Sequence, residues 1–105
     1  MTGRAEAREG EELRAVLARL RDVLGRNGEA HWAGIVARAL AEPDDRALAR
    51  SVRSWFSGRN ALDTLVISPV RGHAVQTCAV DSVNRAVAIL RAEARRLGEA
   101  IPATA

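Results

Sequence analysis

Between positions 13 and 24 the apolar residues fall at Leu13, Val16, Leu17, Leu20, Val23 and Leu24. That is helical spacing with one apolar stripe, and it predicts an amphipathic helix from about Glu11. Glu11 and Glu12 suit the positive end of its dipole. Gly25 and Gly28 frame its stop, with Arg26-Asn27-Gly28 as turn chemistry. A second stripe, Trp32, Ile35, Val36, Ala39 and Leu40, predicts a helix over 29–41 that Pro43 ends. Asp44 and Asp45 then supply an N-cap and first turn. The third helix turns Leu48, Val52, Trp55 and Phe56 inward and Arg46, Arg50 and Arg53 outward. The last stripe is Val83, Val87, Leu90, Ala94 and Leu97, with Asp81 or Ser82 as cap and Gly98 as stop. Short connections favour antiparallel neighbours.

The pattern breaks between Trp55 and Val75. Ser57 and Gly58 end the third helix, and Asn60 to Asp63 reads as a turn. Leu65-Val66-Ile67 is a β-type run that stops at Pro69. Arg71-Gly72 is a turn, and Ala74 to Cys78 predicts a return strand. Two strands alone are marginal in water, so such a pair must lean on the helices. The expected fold is α+β and mostly helical: four helices with a short β-hairpin between the third and fourth. One domain over 11–98 is expected, with a flexible N-terminus over 1–10 and a flexible tail over 99–105.

Length adds that 105 residues make one domain with one modest core. Apolar residues are 48% of the chain and aromatics 3%, so Leu, Val, Ile and Ala must build that core around Trp32, Trp55 and Phe56. One cysteine excludes an intrachain disulfide. No apolar run reaches the length of a membrane span, and the charged N-terminus does not read as a signal peptide. A cytoplasmic protein is the expectation.

Charge changes the picture more. All 16 basic residues are Arg, which first reads as coding bias in a GC-rich genome. Residues 1–45 carry 7 Arg against 9 acids, a net −2, and residues 46–97 carry 9 Arg against 3 acids, a net +6. The basic half suits an acidic protein surface or a phosphate backbone, against the plainer reading of a solvated Arg-rich surface. Arg46, Arg50 and Arg53 are its candidate anion-binding stripe.

No metal-ligand spacing is present, since His31 and His73 stand far apart and Cys78 is alone. No metal and no cofactor are expected. Cys78 sits among apolar and small residues and reads as a buried, inert thiol. Walker and dinucleotide fingerprints are absent. The second and third helices resemble a helix-turn-helix, with the hairpin as a wing. Against this, Asp44 and Asp45 would repel phosphate where base contacts concentrate. Trp32 reads as a core anchor, and His31 as a structural or surface residue.

The run Phe56-Ser57-Gly58-Arg59-Asn60-Ala61-Leu62-Asp63-Thr64-Leu65-Val66-Ile67, followed by Gly72-His73, resembles a family of small uncharacterised bacterial domains. The family centre reads roughly F-x-G-M-G-S-[LF]-N-D-L-V-[IL], then G-H. His31-Trp32 and Val83-Asn84 fit the same pattern, so the resemblance covers residues 29–97. Arg59, Asn60 and Asp63-Thr64 replace the family's methionine, second glycine and N-D pair. These changes fit a turn better than a catalytic site, because Asn60 tolerates the left-handed conformation and Asp63 can cap a turn. The resemblance implies no activity; small bacterial proteins of this kind are sometimes immunity or accessory proteins. The leading expectation is a non-enzymatic protein-interaction module whose partner is another protein. Its contacts are Arg59, Asn60, Asp63, Arg71 and His73. A winged-helix-like DNA-binding protein is the alternative, and a hydrolase-type enzyme using His73 and Asp63 the third.

Overall fold

A computed structural model of the chain describes residues 2–58 and 61–102. Four helices carry it: α1 (Thr2–Arg26), α2 (Ala30–Leu40), α3 (Asp45–Ser54) and α4 (Val80–Ala100). The longest, α1 and α4, run antiparallel, so Ala5 and Glu9 lie beside Ala100 while Val23 and Asn27 lie beside Val83. Leu13, Leu17, Leu20 and Leu24 of α1 are fully buried, together with Val36, Leu48, Val52, Val87 and Leu97 from the other helices. Each such Leu or Val side chain contributes about 1.5–3 kcal/mol by leaving water. Trp32 and Trp55 meet edge to face, 6.1 Å between ring centroids at 74°, and plug the end of the core nearest the third connection.

Helix α1 begins at Thr2, where the apolar pattern predicts about Glu11. The added turns are anchored sideways: Glu6 takes a bidentate bond from Arg46 of α3, at 2.6 and 3.1 Å. Gly10 lets α3 approach, since a Cβ there would collide with the Asp45 carboxylate. Arg14 holds the α2–α3 connection by donating to Asp45 at 3.0 Å and to the Glu42 carbonyl at 2.7 Å. The end of α1 is a Schellman motif. Gly28 has φ +78°, and the Glu29 N–H returns to the Leu24 carbonyl at 2.8 Å.

Asp44 caps α3 as expected, accepting the Ala47 N–H at 3.1 Å. Neither Asp81 nor Ser82 caps α4, which starts at Val80 after a 3-10 turn with no side-chain cap. It also runs past Gly98 to Ala100, and Ile101 is buried in the core. Gly98 is a packing residue: a Cβ there would meet Val52 at 3.0 Å.

The β-hairpin is not formed. Among the described residues there is no strand, and the fold is all-helical. Residues 61–79 form a non-repetitive cap with three short 3-10 turns, Leu62–Thr64, Pro69–Arg71 and Thr77–Ala79. Leu62 and Ile67 are fully buried and seat the cap on the helices. The β-type run was misleading because its partners are not a strand. The Ile67 N–H and C=O are taken by the Asn84 amide of α4, at 2.7 and 2.8 Å. The Leu65 carbonyl accepts from Arg91 at 3.1 Å. The expected return segment is diverted too: the Ala74 N–H donates to the Asn27 carbonyl at 2.8 Å. The backbone groups are satisfied, as burial requires, without a ladder.

Candidate functional site

The cap is the part of the molecule where unlike polar groups gather, and it is held from both sides in sequence, by Asn27 and Glu29 before it and by Asn84 and Arg91 after it. At its tip Ser68 and His73 close a tight loop through two reciprocal bonds. The Ser68 N–H donates to His73 Nδ1 at 3.0 Å, and the His73 N–H donates to the Ser68 carbonyl at 3.2 Å. Pro69 presets the turn, the Ser68 hydroxyl accepts the Val70 N–H, and Gly72 takes φ +86° to finish it. With Nδ1 accepting, the neutral ring carries its proton on Nε2, which faces Glu29 Oε1 at 3.1 Å. Glu29 is shared: its other oxygen accepts the Trp32 N–H at 2.8 Å and caps α2. One carboxylate therefore ties the start of α2 to the cap. The side chains of His73 and Glu29 are 8% and 12% exposed.

This geometry separates the residues that the sequence groups. Arg59 and Asn60 lie outside the described residues. Asp63 and Arg71 are exposed, on the first and second turns of the cap. His73 is turned inward, and Asp63 is not among its partners. Both ring nitrogens are engaged, one with a backbone amide and one with a carboxylate, so the imidazole has no nitrogen directed at a substrate. A shallow cleft of about 220 Å³ lies between the start of α2 and the cap, with Glu29, His31, Trp32, Thr64, Leu65 and Arg71 on its walls. His73 and Asp63 are not part of it.

Two members of the arginine stripe, Arg46 and Arg53, are drawn onto neighbouring elements. Arg46 pairs with Glu6, whose carboxyl is held below its usual 4.5 by the Arg46 hydrogen bond and charge, while Arg46 is raised. Arg53 donates to the Gly98 and Ile101 carbonyls, at 2.5 and 3.0 Å, and so caps the C-terminal end of α4. Arg50 is exposed. Two of the three candidate anion-binders thus hold the fold together.

Cys78 is exposed, contrary to the buried thiol expected, because the return segment turns into a 3-10 turn on the surface. Trp32 is a core residue as read, and His31 is exposed with its ring edge against Trp32 at 5.9 Å. No group of three or more His, Cys, Asp or Glu among the described residues is placed to hold a metal ion. No helix among them is long and apolar enough to cross a membrane.

Residue-type reasoning overlooked Glu29, Ser68 and Arg91. It also gave no weight to Val70 and Val66, which are 95% and 44% exposed. Glu29 had one legible signal, its position ahead of the Trp32 stripe where a capping acceptor is needed. The outward valines had none, since Val66 in a β-type run and Val70 just after Pro69 do not say which side is solvent. No family model matches the chain, and no curated protein and no solved structure matches it significantly.

Proposed function

We propose that this chain is a non-enzymatic, cytoplasmic bacterial protein-interaction module, of the immunity or accessory kind, that docks through the outer side of the cap. One observation carries the reading: a loop braced by Glu29, Asn84 and Arg91 presents Val70 almost fully exposed beside Arg71. A braced loop loses little conformational entropy on binding, and an apolar knob beside a cation suits recognition of a partner of opposite charge. The partner is another protein, with a shallow apolar recess rimmed by carboxylates to take Val70 and Arg71. Asp63, at an exposed position of the first turn, and Arg59 and Asn60 are assigned to it from the sequence. His73 supports the surface from beneath and makes no partner contact.

The DNA-binding alternative has less support. Its wing is missing among the described residues, and Arg46 and Arg53 are occupied with Glu6 and with the end of α4. The hydrolase alternative lacks a convergence of His73 with Asp63. The test is co-purification of tagged chain with its partner. Val70→Asp and Arg71→Glu, both at exposed positions, should abolish capture while far-ultraviolet circular dichroism is unchanged. Retained capture by both variants overturns the choice of surface. Salt-sensitive binding to duplex DNA would favour the alternative.

A further inference from the structure

A second exposed surface lies between α1 and α4, on a groove that no residue of the cap lines. Ile89 is 60% exposed at the middle of the outer face of α4. It borders a groove of about 410 Å³ whose floor includes Ala15 and Val16 of α1. Charges flank this apolar centre in an ordered way. On α4, Arg85 precedes Ile89 by one helical turn and Glu93 follows it by one turn. On α1, Glu12 and Arg19 bracket Ala15 and Val16, and both line the groove. Because the helices are antiparallel, Glu12 and Glu93 fall at one end and Arg19 and Arg85 at the other.

The two ends differ in how they are satisfied. At the acidic end Arg96 donates to Glu93 at 2.7 Å. Its charge is favoured by that bond and, more weakly, by Glu12 and Glu9. Glu93 is thus paired at this end, where the Glu12 and Glu9 charges act on the same guanidinium from farther off. At the basic end neither Arg19 nor Arg85 makes a hydrogen bond or ion pair among the described residues.

We propose that this face is a two-fold self-association surface, occupied by a second copy of this chain. A two-fold axis through Ile89 places each copy's Arg85 against the other's Glu93 and each Arg19 against the other's Glu12, with the two Ile89 side chains meeting in the groove. An isologous interface needs a patch complementary to itself, and charges of opposite sign on either side of an apolar centre meet that condition. A molecule 48 Å in its longest dimension and 20 Å in its shortest has room along its flank for the roughly 800 Å² per partner of a standard interface. The cap lies outside this face, so dimerisation leaves the surface around Val70 and Arg71 open, and each surface can be tested without the other.

Sedimentation equilibrium of the full chain at low ionic strength tests it. Wild type should show a concentration-dependent dimer that weakens with added salt. Ile89→Glu should be monomeric with an unchanged circular dichroism spectrum. Arg85→Glu and Glu93→Arg should each weaken self-association by about tenfold or more, through like charges across the axis. An equimolar mixture of these two variants should recover most of the lost affinity, because both cross-axis pairs become attractive again in the mixed dimer. A wild type that stays monomeric up to about 1 mM, where affinity would be no better than about −4 kcal/mol, overturns the proposal. So does a dimer that Ile89→Glu leaves intact, or a mixture no tighter than either variant alone.

Discussion

Replacing Asn84 by Ala removes the side chain that stands in for a neighbouring strand. Its amide makes three bonds: it accepts from the Ile67 N–H at 2.7 Å and donates to the Ile67 carbonyl at 2.8 Å and the Val80 carbonyl at 2.9 Å. Ile67 itself is fully buried, so water reaches its backbone groups poorly once the amide is gone. Each bond is worth about 1 kcal/mol net, and a stranded buried donor or acceptor costs about 1–3 kcal/mol. The expected loss for Asn84→Ala is therefore ~3 kcal/mol, a large share of a small domain's stability. In urea, with a slope of about 1.5 kcal/mol/M, the midpoint should fall by about 2 M while the slope stays constant. Asn84→Asp discriminates further. A carboxylate still accepts from the Ile67 N–H but sets negative charge against two carbonyl oxygens, so it should not rescue. Amide exchange at Ile67 should accelerate in both variants before global unfolding. A loss under ~0.5 kcal/mol in Asn84→Ala, with Ile67 exchange unaltered, would refute the reasoning that the Asn84 amide fixes the Ile67 backbone.

Three further outcomes follow from the same geometry. Gly28→Ala combines φ +78° with a Cβ that would lie 2.8 Å from the Ala74 amide nitrogen, whereas Gly58 has φ +87° and open space around it; thermal melts should show Gly28→Ala the more damaging, by roughly 2 kcal/mol or more against about 1 for Gly58→Ala. His73→Ala should cost about 2 kcal/mol by stranding the Ser68 N–H and unpairing Glu29, and should release the 68–73 loop to rapid amide exchange without unfolding the helices. Glu6 has its carboxyl held below the usual 4.5, chiefly by the Arg46 hydrogen bond; its folded value is the lower one, so its stabilising effect is present above pH 4.5 and fades as pH falls through the depressed value. Stability against pH for wild type and Glu6→Gln should therefore converge in acid and separate towards neutrality; parallel curves would remove the pair from the account.

The helices were legible because each is specified locally. The Leu13, Leu17, Leu20, Leu24 ladder and the Asp44 cap need no knowledge of the rest of the chain. The start of α1 was not, because it depends on Glu6 meeting an arginine forty positions away and on Gly10 making room for Asp45. The hairpin was misread for a related reason. Leu65-Val66-Ile67 carries strand-forming side chains, but strand formation is settled by what pairs with the backbone. Here the pairing groups are the Asn84 amide, the Arg91 guanidinium and the Asn27 carbonyl, each in another element. Of the residues grouped as a candidate site, Asp63 and Arg71 stand at exposed turn positions, as turn residues commonly do, but the inward placement of His73 follows from Glu29, which precedes it by more than forty residues.

The edge-to-face contact of Trp32 with Trp55 makes this protein its own spectroscopic probe. The chain contains no tyrosine and no third tryptophan, so its absorption at the indole band and its indole emission arise from one ring pair. That pair sits where the cap meets the bundle: the Leu62 N–H donates to the Trp55 carbonyl at 2.6 Å, and Glu29 holds the Trp32 amide. Two indoles 6.1 Å apart couple their transitions and give a circular dichroism couplet that vanishes when they separate. Lifting of the cap can thus be followed optically, with no label attached and no residue changed.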